Sequence, residues 1–559
     1  MAADVCVIGG GMAGIAAAVA AARHGARVAL IHDRPVLGGN ASSEIRMWIR
    51  GASVNFPEYR EGGIIEEIAN RNRFYNPRLT YPLWDAVLYG IVKEEKNIAL
   101  FLNCACIGAK EREGQVTEVR CRGLTNYTDY TIGAKFFIDC SGDCVLADYT
   151  AAETMRGREA RDEYGESLAP AVRDDKTMGN SCLFQARETP FEIGYTPPPF
   201  AKKFTDGEFI HRMNIGNAHS WKGDNFWWLE IGGTRDTISD AEDIKDSLLA
   251  AAYGAWDYIK NSGRFDSANW ELDFVSYIGA KRENRRYKGD YVLTQNDIDG
   301  AVKFEDEIGY GGWTMDDHDP LGMETRNPPN IHHPVKAPYG IPYRCLYSRN
   351  IGNLFFAGRN ISATHFGLSS TRVMATCALM GQAAGTAAAL CVKKKAPPRD
   401  LCAHIAELQQ TLLYDDCFLL HTRRANGGLE RKIGDTDEAA VLRIDEPFDR
   451  TFPARRVDTV RIVFDDDIAC SYVSDYNERM YPNRCNTALN AAPAGMPPPL
   501  AKAFAVYGKE NGVWKELFAA EGNYKRLVRV PCGRVLEGIQ LVVRETFGAA
   551  PRVYAFEAV

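Results

Sequence analysis

The 559-residue chain lacks most of the devices that narrow a protein's class at a glance. Its fifteen cysteines contain no C-x-x-C pair and no metal-type cluster, the spacings on which disulfide frameworks, thiol relays and zinc sites rest. Many cysteines without disulfide spacing suit a reducing compartment. Basic charge is not in excess: 66 Lys and Arg stand against 73 Asp and Glu, a net charge of −7. That argues against a nucleic-acid partner, which calls for a basic face. No apolar run is read as long enough to span a membrane. The apolar stretch 15–22 lacks the basic n-region of a signal peptide, and Met1 stands a few residues before a strand. The expected location is cytoplasmic, with a removed leader as the alternative. The remaining composition, 45% hydrophobic and 25% charged, is that of a globular protein, and the length calls for two to four domains.

What is present is a set of strand-to-glycine units. Val5-Cys6-Val7-Ile8 reads as a buried strand, and Gly9, Gly11 and Gly14, with Met12 and Ala13 between them, give G-x-G-x-x-G. The first glycine permits a tight turn, the second lets a pyrophosphate reach the backbone, and the third lets helix and strand pack closely. The alanine-rich run 15–23 is a strong helix former whose first amides face the phosphates. A second strand, 26–31, ends at His32-Asp33, where an acidic residue is expected on the adenosine ribose. Asp33 falls one residue late and His32 holds the usual place. Gly38-Gly39-Asn40 forms a second turn.

Lys135–Asp139 leads into Ser141-Gly142-Asp143, and 353–357 leads into Gly358-Arg359-Asn360. The helix after it, 371–393, carries Gly381 and Gly385 and is expected to pack tightly on another backbone. Units this far apart point to an interrupted nucleotide domain. The fold class is therefore α/β: a doubly wound, Rossmann-like dinucleotide domain (1–150, returning over 301–395) with an inserted α+β substrate domain (151–300). In the insertion, 181–186 and 226–231 read as strands of a mixed sheet. Residues 240–259 read as an amphipathic helix with Ile244, Leu248, Ala251 and Ala255 on one face. A helical linker (396–440) precedes a C-terminal all-β sandwich (441–559), expected to be a separable module, with a Pro/Ala-rich loop over 486–500 and a polar stretch over 435–439 just before it.

Together, Val5–Gly14, Asp33–Asn40, Phe137–Asp143, Pro338–Arg344, and Asn353–Gly358 continuing through Ser370–Met374 to Gly385 resemble the FAD-dependent oxidoreductases of the glutathione-reductase-like flavoprotein superfamily. The resemblance is nearest to a bacterial group often found with carbohydrate-utilisation proteins. The tail weakly resembles galactose-binding-like sandwiches. The resemblance implies FAD as cofactor, with the residues of the glycine units above as its contacts, and Ser370 and Thr371 capping a helix aimed at the flavin. Two departures stand out: His32 where Glu is common, and Arg359-Asn360 where Asp is common, which suggests a cationic flavin edge. The superfamily's disulfide reductases carry redox cysteines after the second glycine turn, but residues 38–46 here hold none, so direct hydride exchange with an organic substrate is the simplest remaining chemistry.

His365, between the third glycine unit and the flavin-facing helix, is the candidate base, with an ordinary pKa suited to proton transfer near neutrality. Arg372, one turn on, either clamps a helix end or binds substrate. Glu44, the next candidate base, shares a face with Arg46 if the segment is extended. Cys104 and Cys106, and Cys140 and Cys144, read as structural thiols. The basic run 281–286 is a solvated or salt-bridged strand, or else an anion site. His318, His332 and His333 show no converging metal geometry, and no metal is expected. Trp221, Trp227, Trp228 and Trp313 suit core packing or stacking on a sugar. The expected substrate is a small molecule, the secondary alcohol of a sugar or polyol. Reduction or desaturation of a carbon–carbon bond, and carbohydrate binding with a structural flavin, are the alternatives. No motif names the electron acceptor.

Overall fold

A computed structural model describes residues 1–207, 226–328, 330–425, 439–470, 481 and 492–559. The organising element is a five-stranded parallel sheet of β1 (Val5–Ile8), β2 (Val28–Ile31), β3 (Ile98–Phe101), β4 (Phe136–Asp139) and β5 (Leu354–Phe356), in the spatial order β5-β4-β1-β2-β3. β1, β2, β4 and β5 are buried along their whole length. That is why they read as unbroken apolar runs rather than as alternating ones. The three distant glycine units therefore end side by side at the carboxyl edge of one sheet, where open α/β sheets bind ligands.

Two helices hold this edge. α1 (Met12–Arg23) follows β1, and α4 (Met374–Lys394) lies across it. Their contact is backbone on backbone: a Cβ on Gly381 would stand 2.1 Å from the Ala13 carbonyl oxygen, and one on Gly385 2.1 Å from that of Ala17. α4 also corrects the sequence reading. It has 21 residues with a mean hydropathy of 1.4 over its best window, long and apolar enough to cross a membrane, but 94% of that window is buried inside the protein. Its apolar length reflects packing on all sides.

Between β4 and β5 the chain builds a series of two-stranded antiparallel ribbons, not the one mixed sheet expected. They pair Phe184–Glu188 with Trp270–Val275, Asn180–Ser181 with Glu230–Ile231, and Met315–His318 with Asn330–His333. Phe226 makes only an isolated bridge to Phe184. The amphipathic helix is α2 (Ala241–Asn261), and Ile244, Leu248, Ala251 and Ala255 all face its core. A short helix, α3 (His365–Thr371), comes just before α4. Trp221 and 435–438 lie outside the described residues, as do 486–491 of the Pro/Ala-rich loop.

At the C-terminus six strands form one antiparallel sheet, ordered Ala440–Val441, Arg552–Ala558, Pro447–Phe464, Leu527–Thr546, Ala501–Glu510, Val513–Glu521. Among the described residues the hydrogen bonding joins them into a single sheet rather than the two of a sandwich, because Pro447–Phe464 pairs with Leu527–Thr546 along nearly its full length. The unit has an apolar core of its own around Val460, Phe504, Leu541 and Phe556. It is also tied to the rest by a buried guanidinium: Arg526 donates to Asp416 at 2.6 Å and to Asp466 at 3.1 Å. Tyr481 donates to the Glu61 carbonyl at 3.0 Å.

Candidate functional site

The glycine edge opens into a cleft of about 300 Å³. One wall is backbone. Gly9 has φ +100°, and a Cβ there would meet the Cys140 carbonyl oxygen at 2.5 Å; on Gly14 it would meet the Gly9 carbonyl oxygen at 1.8 Å. These two glycines let β1, α1 and the Cys140 turn close on one another. Gly11 differs: the nearest atom to its added Cβ is Gly39 Cα at 3.9 Å. Its empty side belongs to the cleft, which Gly9, Gly11, Met12, Ala13, Gly38, Gly39 and Asn40 line together. Gly14 acts behind the wall, in the packing.

At the end of β2, His32 is buried and Asp33 is 63% exposed, and both reach the cleft. The Gly10 amide donates to His32 Nδ1 at 3.0 Å, which leaves the ring proton on Nε2. That Nε2 is buried and without a hydrogen-bond partner in the protein. Burial chiefly, with the Arg34 charge, lowers the His32 pKa to about 4, so the ring is neutral at pH 7.

The second and third units meet over one carboxylate. Asp143 takes Lys281 Nζ at 2.6 Å and Arg359 Nη2 at 2.8 Å. Burial raises its pKa, but the two cations outweigh burial and hold it below the usual range. The cationic edge expected at Arg359 is thus half neutralised. Ser141 hydrogen-bonds Asp139 through both its amide (2.9 Å) and its hydroxyl (2.6 Å). Ser141, Gly142, Asp143, Gly358 and Arg359 line the cleft. Asn360 turns behind the wall, donating to the Asp139 carbonyl at 3.2 Å, with its Oδ1 left unpaired.

The other wall comes from the insertion and the start of α4: Ser181, Leu183, Ala280, Arg282, Arg372 and Met374. Here several expectations need correction. Ser370 and Thr371 do not cap α4. They end α3, with Ser370 bonded to the Tyr339 hydroxyl at 2.6 Å and Thr371 to the Gly367 carbonyl at 3.1 Å. α4 starts at Met374, and its N-cap is Val373, with no side-chain cap.

His365 is not on the cleft wall and is not a free imidazole. Its Nδ1 is 2.9 Å from Glu283 and its Nε2 3.0 Å from Asp317, and its side chain is 1% exposed. Burial, the largest single influence, opposes the charge. The two carboxylates together override it and raise the pKa to about 10. An imidazolium so held cannot accept a proton near neutrality. Glu44 and Arg46 diverge, because Arg46 adopts φ 65° and breaks the extended run. Glu44 stands 3.9 Å from Arg34, off the cleft wall, while Arg46 donates to Gln185 and covers the Phe274 ring.

A buried ionic cluster missed in the sequence lies behind this wall. Arg372 donates to the Asp316 carbonyl at 2.9 Å and its carboxylate at 3.1 Å. Asp316 also lies 3.5 Å from His318 and 3.4 Å from His332. His318 contacts Glu230 at 2.7 Å, and Glu230 stands 3.6 Å from Arg282. Despite burial, the surrounding histidines and Arg372 keep Asp316 far below the ordinary carboxyl range. These acids come from ribbons whose sequence pattern gave no motif.

A family model described as FAD dependent oxidoreductase matches residues 4–412. The chain belongs to this family. No curated protein matches it. Among solved structures it is similar to a geranylgeranyl bacteriochlorophyll reductase-like protein from Thermoplasma acidophilum (12% identity over 74% of this chain and 86% of that one, TM-score 0.34). It is also similar to the myxobacterial chondrochloren halogenase CndH (12%, 74% and 80%, TM-score 0.31). A third is the anhydrotetracycline hydroxylase OxyS from Streptomyces rimosus (12%, 74% and 67%, TM-score 0.32).

The protein is an FAD-dependent oxidoreductase, and its cleft fits the cofactor on two counts. Gly11 leaves open the space a pyrophosphate needs against the backbone. His32 Nε2 and Arg359 Nε are buried donors without partners in the protein, the groups a bound dinucleotide would satisfy.

Proposed function

We propose that this oxidoreductase exchanges a hydride with the secondary alcohol of a small sugar or polyol. FAD, when bound, supplies the hydride-transferring ring. The observation that carries this reading is the continuity of the cleft, which runs from the glycine wall to a wall of insertion residues and the start of α4. A substrate between those walls would be shielded from water and oriented by Ser181, Arg282 and Arg372. Thiol relay is disfavoured. Cys104, Cys106, Cys140 and Cys377 line the cleft. Burial pushes Cys377 up to about 12 and Cys104 and Cys140 above the ordinary thiol range, and of the four only Cys106, hydrogen-bonded with Cys121, is lowered, so no two of them form a thiolate pair. Trp227 and Trp228 stack at 4.1 Å, and Arg282 lies over Trp227. This stack packs behind Arg282 rather than on the cleft wall, so it supports the arginine and offers no sugar-stacking face.

The test is anaerobic. Purified protein should be yellow, and a panel of sugars and polyols should bleach it. Reoxidation of the reduced protein by activated alkenes, with no bleaching by alcohols, would move the reaction to a carbon–carbon bond. No redox response to either panel would leave carbohydrate binding with a structural flavin.

A further inference from the structure

The basic run 281–286 is salt-bridged rather than solvated. Arg286 is fully buried with Glu159 at 3.1 Å, Arg285 pairs with Asp148, Lys281 holds Asp143, and Arg282 is turned into the cleft. The Arg282 side chain is 9% exposed, and its Nη1 donates to the Gly179 carbonyl at 3.0 Å. Across the same wall, Arg372 spends only Nη2 on Asp316. Its Nε is buried and makes no hydrogen bond. Two guanidinium groups thus share one end of a partly enclosed cleft with donors to spare.

Burial chiefly pushes the Arg282 pKa down; Glu230 opposes it in part, and the neighbouring Arg372 charge lowers it further, as like charges held close in poor solvent do. The carboxylates behind them, Asp316 at 3.1 Å from Arg372 and Glu230 at 3.6 Å from Arg282, are each shared with other donors. Asp316 is shared with His318 and His332, and Glu230 with His318 and the Gly179 amide. An anion entering the cleft would relieve the repulsion and take up the unused N–H groups.

We infer that Arg282 and Arg372 form a carboxylate-binding pair, so that the substrate is a hydroxy acid of the sugar-acid kind. The assignment of the alcohol rests on the function proposed above; the assignment of the carboxylate rests on the two arginines. A planar guanidinium edge matches a carboxylate bidentately. The dinucleotide's own phosphates are served by the glycine wall.

The experiment titrates FAD-loaded protein with D-gluconate, sorbitol and inorganic phosphate at constant ionic strength, followed by the visible flavin spectrum and tryptophan fluorescence. Gluconate should bind at least tenfold more tightly than sorbitol. Arg282→Met and Arg372→Met should each weaken gluconate at least tenfold more than they weaken sorbitol, with FAD content retained, and Arg282→Lys should restore part of the loss. If Arg282→Met does not fold, Arg372→Met and Arg282→Lys still decide.

Equal affinity for gluconate and sorbitol, or gluconate binding untouched by all three variants, would overturn the pair. Phosphate binding more tightly than gluconate would replace carboxylate by phosphoryl recognition. Loss of FAD in the variants would assign the pair to the cofactor. Arginine-dependent gluconate binding without bleaching by any alcohol would keep the pair and remove the hydride reading instead.

Discussion

One wall of the cleft works through side chains that are missing, the other through charged side chains that share partners. On the glycine wall each position is set by its immediate neighbours along the chain and by β1 and β4 in tight register. A cofactor common to many enzymes needs nothing more than backbone amides and space. On the insertion wall, Arg282, Arg372, Asp316, His318 and Glu230 are drawn from separate ribbons and helices, and their charges are balanced only once all have arrived. The first design tolerates little change, since a Cβ at Gly9 or Gly14 meets backbone; the second depends on several side chains at once.

The comparison breaks hardest on the glycines. Gly14→Val places its branch inside the Gly9 carbonyl and should yield no folded protein. Gly11→Val has room on the protein side and fills only the cleft. It should fold with a near-normal melting temperature and lose FAD by more than about a hundredfold in affinity, roughly 2.7 kcal/mol. Acid precipitation and a supernatant flavin assay separate the two. Gly11→Val with a normal flavin load would mean that this wall does not hold the pyrophosphate.

The charged wall predicts a smaller but pH-signed effect at His365. His365→Ala leaves Asp317 without its hydrogen-bonded cation and Glu283 with only Arg286 at 3.6 Å, a loss of about 3 kcal/mol in unfolding free energy. Because its pKa is raised from 6.5 to about 10, the folded state holds a proton that the unfolded state releases. The stabilisation is complete below pH 6.5 and is lost as pH rises through 10. Urea midpoints between pH 6 and 10 should fall with pH in the wild type and lose that slope in the variant. An unchanged slope, together with flavin reduction that rises through a neutral pKa and vanishes in the variant, would return His365 to the role of base.

The two walls also differ in how far the sequence exposes them. Gly9, Gly11 and Gly14, the small-residue face of α4 at Gly381 and Gly385 and the buried face of α2 were readable because spacing within a few residues sets them; that α4 packs on α1 was not. His365 was misread because its partners lie 82 and 48 positions away, and no local pattern tells a paired imidazole from a free one. Ser370 and Thr371 were misread for a nearer reason. Arg372 and Val373 interrupt the helix, and Ser and Thr bond back to a preceding carbonyl as readily as they cap. Asp316 and Glu230 left no trace at all, since an acidic residue in a short ribbon looks like solvated surface.

The smallest effect tests the glycine wall at the polar pair His32 and Asp33, where β2 ends. The sequence favoured Asp33 for the ribose, but Asp33 is largely in water, where a carboxylate contributes little to a hydrogen bond, while His32 Nε2–H is buried without a partner. His32→Ala should therefore weaken FAD about tenfold, near 1.4 kcal/mol, and Asp33→Ala by no more than about threefold. The pH dependence carries the opposite sign to that of His365. With a folded pKa of about 4 against 6.5, the unfolded state binds the extra proton, so this contribution to stability is present above pH 6.5 and is lost as pH falls through 4. Dissociation constants measured by flavin fluorescence from pH 4 to 8 should show binding that weakens only at the acid end in the wild type and not in His32→Ala. A tenfold loss in Asp33→Ala with none in His32→Ala would restore the acidic ribose contact and leave the buried Nε2 to an ordered water.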